Sequence, residues 1–260
     1  MISFIKTFIK GFFLFVKIDW IDTIRLNLFH LPFRQGRKFP VLLFNAKLNI
    51  RNNSKIQLQI SDKDCCFGMI KLGIRYSRNI LQTTGIQIDL RSSGGIIFYG
   101  SGIIGCGSNI ITREEGVIEF GKNFRISGNF SACSLSKIEI GNNLSCSWNV
   151  SIYDTDFHEI EDMETGIVLP MTRNIIIGDN CWLCQQATLL KGVRLPNWSI
   201  VGGCSLVNKD YTDYPLHTLF AGVPAKALKK KIVRRDLKTI VNVSDWKITS
   251  GLHLLNGLPK

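Results

Sequence analysis

Histidine is scarce in this chain: four in 260 residues, at positions 30, 158, 217 and 253. That leaves few ways to build a histidine-ligated metal centre. No apolar run is long enough to span a bilayer, which takes roughly 20 residues. Residues 1–20 are rich in phenylalanine and isoleucine but are broken by Lys6, Lys10 and Lys17. They also have no A-x-A-like cleavage site. The expectation is a cytoplasmic protein, peripheral at most to the inner face of the membrane, whose eight cysteines stay reduced. Cys181-x-x-Cys184 lacks a partner pair at zinc spacing, so it reads as two small repeat positions. Acidic residues number 20 against 32 Lys and Arg, a net charge of +12. The excess sits at the two ends. Residues 1–40 hold seven Lys/Arg against Asp19 and Asp22, and residues 226–260 hold nine against Asp236 and Asp245. A nucleic-acid binder would spread its basic residues over one groove-facing surface. Two basic ends better fit an anionic membrane or a phosphate-bearing ligand.

What the chain does have is a period of six. Stepping from Ile177 gives Leu183, Leu189, Leu195, Val201 and Val207, all branched aliphatics. Two residues before each lie Ile175, Cys181, Ala187, Val193, Ser199 and Ser205, mostly small or β-branched. No α-helix repeats every six residues, and a plain strand repeats every two. The pattern suits short strands joined by tight turns, three to a coil, with coils stacked at the spacing of paired strands. Ile138-Glu139-Ile140-Gly141 and the pairs Leu144/Cys146 and Val150/Ile152 carry the phase earlier, and residues 41–100 read as irregular first coils. Between Ile152 and Ile177 the phase slips, and the slip contains Tyr153-Asp154-Thr155-Asp156-Phe157-His158. Loops set on rigid scaffolds are where chemistry concentrates.

The segments I-I-I-G-D-N-C-W-L (175–183), L-L-K-G-V (189–193), S-I-V-G-G-C-S-L-V-N-K-D (199–210) and A-G-V-P-A-K (221–226) resemble the hexapeptide-repeat acyltransferases. The resemblance is strongest over residues 123–230. N-L-F-H-L-P-F-R-Q (27–35) is similar to the start of enzymes that O-acetylate capsule or lipopolysaccharide sugars. It implies an all-β fold: a left-handed parallel β-helix over 41–225 with an active-site loop at 153–173. A helical segment over 1–40 would precede it, and a basic helix and tail over 226–260 would follow. The implied activity is acetyl transfer from acetyl-CoA, with no metal, to a sugar hydroxyl of a surface polysaccharide or its precursor, in a homotrimer.

A sugar hydroxyl needs a base to take its proton as it attacks, and histidine suits that task near neutral pH. His158 alone among the four lies in the phase slip, where the resemblance places the base. Asp154 and Asp156 flank it and either orient the imidazole and meet the acceptor or cap the loop's own turns. Ser127-Gly128-Asn129-Phe130-Ser131 resembles the segment bearing the galactoside and maltose enzymes' oxyanion asparagine, which makes Asn129 the expected donor. For acetyl-CoA the resemblance points to Trp182, Gln185, Gly203, Asn208 and Lys209, with Lys226 and Lys229 for the 3′-phosphate. Trp182 would also border the acceptor. Cys184 and Pro196 stand where the pattern has glycine. Residues 1–20 read either as an interfacial amphipathic helix or as a cover for the open end of the coil. Alternative functions are an antibiotic-modifying O-acetyltransferase, a non-catalytic binding β-helix and a zinc lyase; the last would need three histidines together.

Overall fold

A computed structural model describes residues 16–51, 54–75 and 85–234. Three parallel sheets run the length of a triangular coil. The first stacks Val41–Leu43, Ile70–Ile74, Gly102–Gly105, Phe124–Ile126, Ser145–Cys146, Trp182–Leu183, Ile200–Val201 and Leu219–Gly222. The second stacks Ala46–Ile50, Ile86–Ser92, Ser108–Glu114, Ser131–Ser134, Ser151–Tyr153, Thr188–Leu189 and Leu206–Val207. The third stacks Lys55–Leu58, Gly95–Phe98, Val117–Phe120, Lys137–Ile140, Ile175–Ile177 and Arg194–Leu195.

The register turns the six-residue period into columns. Leu43, Leu72, Ile104, Ile126, Cys146, Leu183, Val201 and Phe220 lie one above another inside the first sheet. Ile88, Ile110, Ala132, Ile152, Leu189 and Val207 do so inside the second. All of these are buried. Short strands alternate inward and outward side chains, so one aliphatic per strand fills the axis. Residues 41–98 form the first two coils as expected, with longer connections. Phe98, Phe120 and Phe124 pack with ring centroids 5.0–5.8 Å apart in the core. Gly102 lies beneath Phe124, where a β-carbon would come within 2.3 Å of the ring.

The first coil leaves an open strand edge, whose unpaired backbone groups need partners. A helix, Trp20–Phe29, supplies them. The Asn27 amide donates to the Val41 carbonyl (2.7 Å) and accepts from the Val41 N–H (3.2 Å). Thr23 Oγ1 accepts from the Leu43 N–H at 3.1 Å, and Leu26 enters the core. A short helix, Phe33–Gly36, presents Gln35, which donates to the Ile60 carbonyl at 3.0 Å. Residues 1–15, the remainder of the expected amphipathic segment, lie outside the described residues.

The other end differs from expectation. The basic helix anticipated from residue 226 does not begin there: Ala225–Lys229 is a strand, antiparallel to Leu219–Gly222. The last parallel strand offers an unpaired edge, and the chain reverses at Gly222 (φ +106°) and Pro224 to satisfy it. Residues 235–260 lie outside the described residues.

Candidate active site

The coil has three corners, and at one of them, between the second and third sheets, the chain leaves on a long detour. Ile152 and Ile177 bracket it, and both stay in their buried columns. Two inner devices pin its base. Asp154 is fully buried, and its carboxylate accepts from Ser134 Oγ (2.7 Å), Leu135 N–H (2.9 Å) and Ser136 N–H (3.0 Å) of the coil below. Its carbonyl accepts from the Arg173 N–H at 3.0 Å, bringing the two ends of the detour together. Lys191, from the corner above, ion-pairs with Asp156 and donates to the Pro170 carbonyl. The remainder is a hairpin, Ile160–Asp162 against Ile167–Leu169, exposed throughout.

His158 follows Phe157, which sits in the left-handed region (φ +63°) and is held by Thr155 Oγ1, acceptor for its N–H at 2.9 Å. The Phe157 ring packs edge-on against Tyr153 at 6.0 Å, and the Tyr153 hydroxyl bonds Ser131 Oγ at 3.2 Å. The detour's first residues are thereby laid along the outer face of the second sheet, and His158 is exposed to solvent. Of its two flanking carboxylates, that of Asp154 is taken up inside the coil, while Asp156 is half-buried against Lys191.

Asn129 stands at the opposite edge of the second sheet, at φ +49°, with its N–H donated to the Cys106 carbonyl at 3.0 Å. Asn149 occupies the same corner one coil up, also left-handed. The residues expected to hold a coenzyme fall into separate groups. Gln185 and Gly203 stack on this same corner, both exposed, and a β-carbon on Gly203 would make ordinary contact with Gln185. Trp182 lies in the first sheet, and the Arg234 guanidinium covers its ring at 5.1 Å. Lys226 and Lys229 are exposed on the strand that closes that sheet. Asn208 and Lys209 sit elsewhere, on the detour's corner, with Lys209 5.3 Å from the Tyr211 ring.

Sequence reasoning passed over Lys191, Tyr153 and Arg234. Lys191 lies in the L-L-K-G-V segment, but only the length of the detour shows what it meets. His217 stacks on Trp198 at 5.1 Å in a left-handed turn, a structural use. The eight cysteines are free thiols. Cys181 points inward and Cys184 does not, so the two do not form a pair. Among the described residues, no three His, Cys, Asp or Glu gather as a metal site.

No protein-family model matches the chain. The chain is similar to acetyltransferases among the curated proteins. It is 29% identical over 149 residues to the putative lipopolysaccharide biosynthesis O-acetyl transferase WbbJ of Escherichia coli K12, covering 54% of this chain and 74% of that protein. It is 30% identical over 122 residues to the galactoside O-acetyltransferase of Lactococcus lactis, covering 47% of this chain and 56% of the relative. Among solved structures, the polysialic-acid-specific acetyltransferase NeuO superposes with a TM-score of 0.44 at 23% identity, covering 75% of this chain and 78% of that one. The sequence relatives are acetyltransferases, O-acetyltransferases acting on hydroxyl groups among them, and the three-sided coil is similar to that of hexapeptide-repeat acetyltransferases. The chain spans about half the length of the galactoside O-acetyltransferases it matches.

Proposed function

We propose that this protein transfers an acetyl group from acetyl-CoA to a sugar hydroxyl of a surface polysaccharide or its precursor, with His158 as the base. One observation carries the reading. Between the second and third sheets the coil departs on a long detour, a buried carboxylate and a lysine fix the base of that detour, and an exposed histidine stands at its start. The named acceptor classes of the relatives favour a glycan. The chloramphenicol acetyltransferase matches cover only 27–30% of this chain, against 54% for the lipopolysaccharide relative.

The residues fit acetyl-CoA on structural grounds. Gln185 and Gly203 present an exposed corner to an extended chain, and the closing strand presents exposed Lys226 and Lys229 to a phosphate. When bound, acetyl-CoA supplies the activated thioester. His158 accepts the acceptor hydroxyl's proton as the oxygen attacks, and later returns a proton to the departing thiolate. Asn129, at the opposite edge of the second sheet from His158, would serve as the donor to the acetyl oxygen from a neighbouring copy. Asp156, held by Lys191, borders the acceptor. In this reading the coil is left-handed and occupies residues 41–225. Copies assemble as a homotrimer, and a neighbour covers the apolar residues of the hairpin, Met163, Ile167 and Val168, which are 91%, 60% and 52% exposed in one copy. In that assembly the site lies between neighbouring copies, which bring the separated groups of coenzyme residues together.

The test is release of coenzyme thiol from acetyl-CoA in the presence of glycan acceptors. His158→Ala is expected to lower turnover by roughly 10²–10⁴ with trimer and coenzyme A binding retained. Full activity in that variant refutes the base assignment.

A further inference from the structure

The helix Trp20–Phe29 buries one face against the coil and leaves an apolar face uncovered. Thr23, Leu26 and Asn27 face inward and are fully buried. On the opposite side Ile21, Ile24, Leu28 and Phe29 recur at helical spacing, with Ile21 83% and Phe29 78% exposed. Phe33 of the next short helix continues the patch at 70%. A capping helix needs one apolar face, and an exposed second one at this scale marks an interaction surface.

Charge selects the partner. Lys17, Arg25, Arg34 and Arg37 are all exposed in the same stretch. Of its two acidic residues, Asp19 caps the helix by accepting from the Asp22 N–H, and Asp22 lies 3.9 Å from Arg25. The preceding residues 1–15 add Lys6 and Lys10 and no acidic residue to ten apolar ones. Large apolar side chains ringed by arginine and lysine match the boundary between lipid headgroups and acyl chains in an anionic bilayer. No described helix is long and apolar enough to cross a membrane.

We infer that the outer face of residues 16–37 docks the β-helix on an anionic lipid surface, with Ile21, Ile24, Phe29 and Phe33 entering the interface and Arg25, Arg34 and Arg37 meeting lipid phosphates. This surface lies at the first coil, and the inference does not depend on acetyl transfer.

The experiment is co-sedimentation of the full chain with vesicles of phosphatidylcholine alone or mixed with phosphatidylglycerol. Binding is expected to the mixed vesicles and to weaken with salt. The triple variant Ile21→Ser, Phe29→Ser, Phe33→Ser should lower partitioning at least about tenfold. Arg25→Gln, Arg34→Gln, Arg37→Gln should do the same for anionic vesicles only. These residues are exposed, so thermal unfolding of both variants should match the parent and separates lost contact from lost fold. Absent binding, equal binding to neutral vesicles, or undiminished binding in both variants overturns the inference. So does an oligomer that dissociates in the Ser variant while the parent ignores lipid, which would assign the face to a second copy.

Discussion

Ser134 Oγ donates to the buried carboxylate of Asp154 at 2.7 Å, joining the coil below to the point where the chain leaves the coil. Two backbone N–H groups, of Leu135 and Ser136, share the same carboxylate. Asp154→Ala takes the acceptor from the partly buried Leu135 and Ser136 N–H groups, while Ser134 Oγ keeps the Val117 carbonyl at 3.2 Å. The expected loss is about 1–3 kcal/mol of unfolding free energy, read as a lower denaturant midpoint. Asp154→Asn keeps an acceptor and should lose less.

Lys191 acts on the detour from above. Its side chain is partly exposed, so Lys191→Met should cost no more than about 1 kcal/mol of stability. It releases Asp156 and Pro170 together, loosening the segment that presents His158. The expected outcome is a fall in kcat of about tenfold with KM for acetyl-CoA unchanged. Partial recovery in Lys191→Arg would identify positioning by charge; an unaltered kcat in Lys191→Met would remove the role.

Gly102→Ala tests the packing of the aromatic layer of the core. The added carbon meets the Phe124 ring at 2.3 Å, within a stack that includes Phe98 and Phe120. Overpacking of this kind costs about 1–3 kcal/mol. Adding Phe124→Leu should give non-additive recovery in a double-mutant cycle, since the two sites share one contact.

Buried thiols make the fold sensitive to alkali. Burial pushes Cys181 up to about 12 and Cys133 up to about 11, and raises Cys146 further. In the unfolded chain these thiols ionise near pH 8.5. Above that pH the native state holds more protons than the unfolded state, so stability falls as pH rises. For the wholly buried Cys146 and Cys181 the loss reaches about 2 kcal/mol each by about pH 10. Cys181→Ala should flatten the slope in urea melts across that range. In the native protein near neutral pH, exposed Cys204 should react first with Ellman's reagent.

Much of the coil was readable before any coordinates. Ile177, Leu183, Leu189, Leu195, Val201 and Val207 are all in the buried columns that period six assigned to them. The break at Tyr153 was legible as well, because a detour disturbs the phase of everything beyond it. The strand at Ala225–Lys229 was not. Its basic and apolar residues also suit a helix, and the competing claim comes from an unpaired sheet edge that no local pattern announces.

Sequence alone determined the repeat, its inward residues and the position of His158 at the interruption, because these depend on side-chain order along single strands. Tertiary structure alone decided that Asp154 is an inner anchor while Asp156 faces Lys191, and that Thr23 and Asn27 seal the first strand. Those contacts join residues 14 to 35 positions apart. Coil circumference and detour length set them, and neither is encoded at any one position.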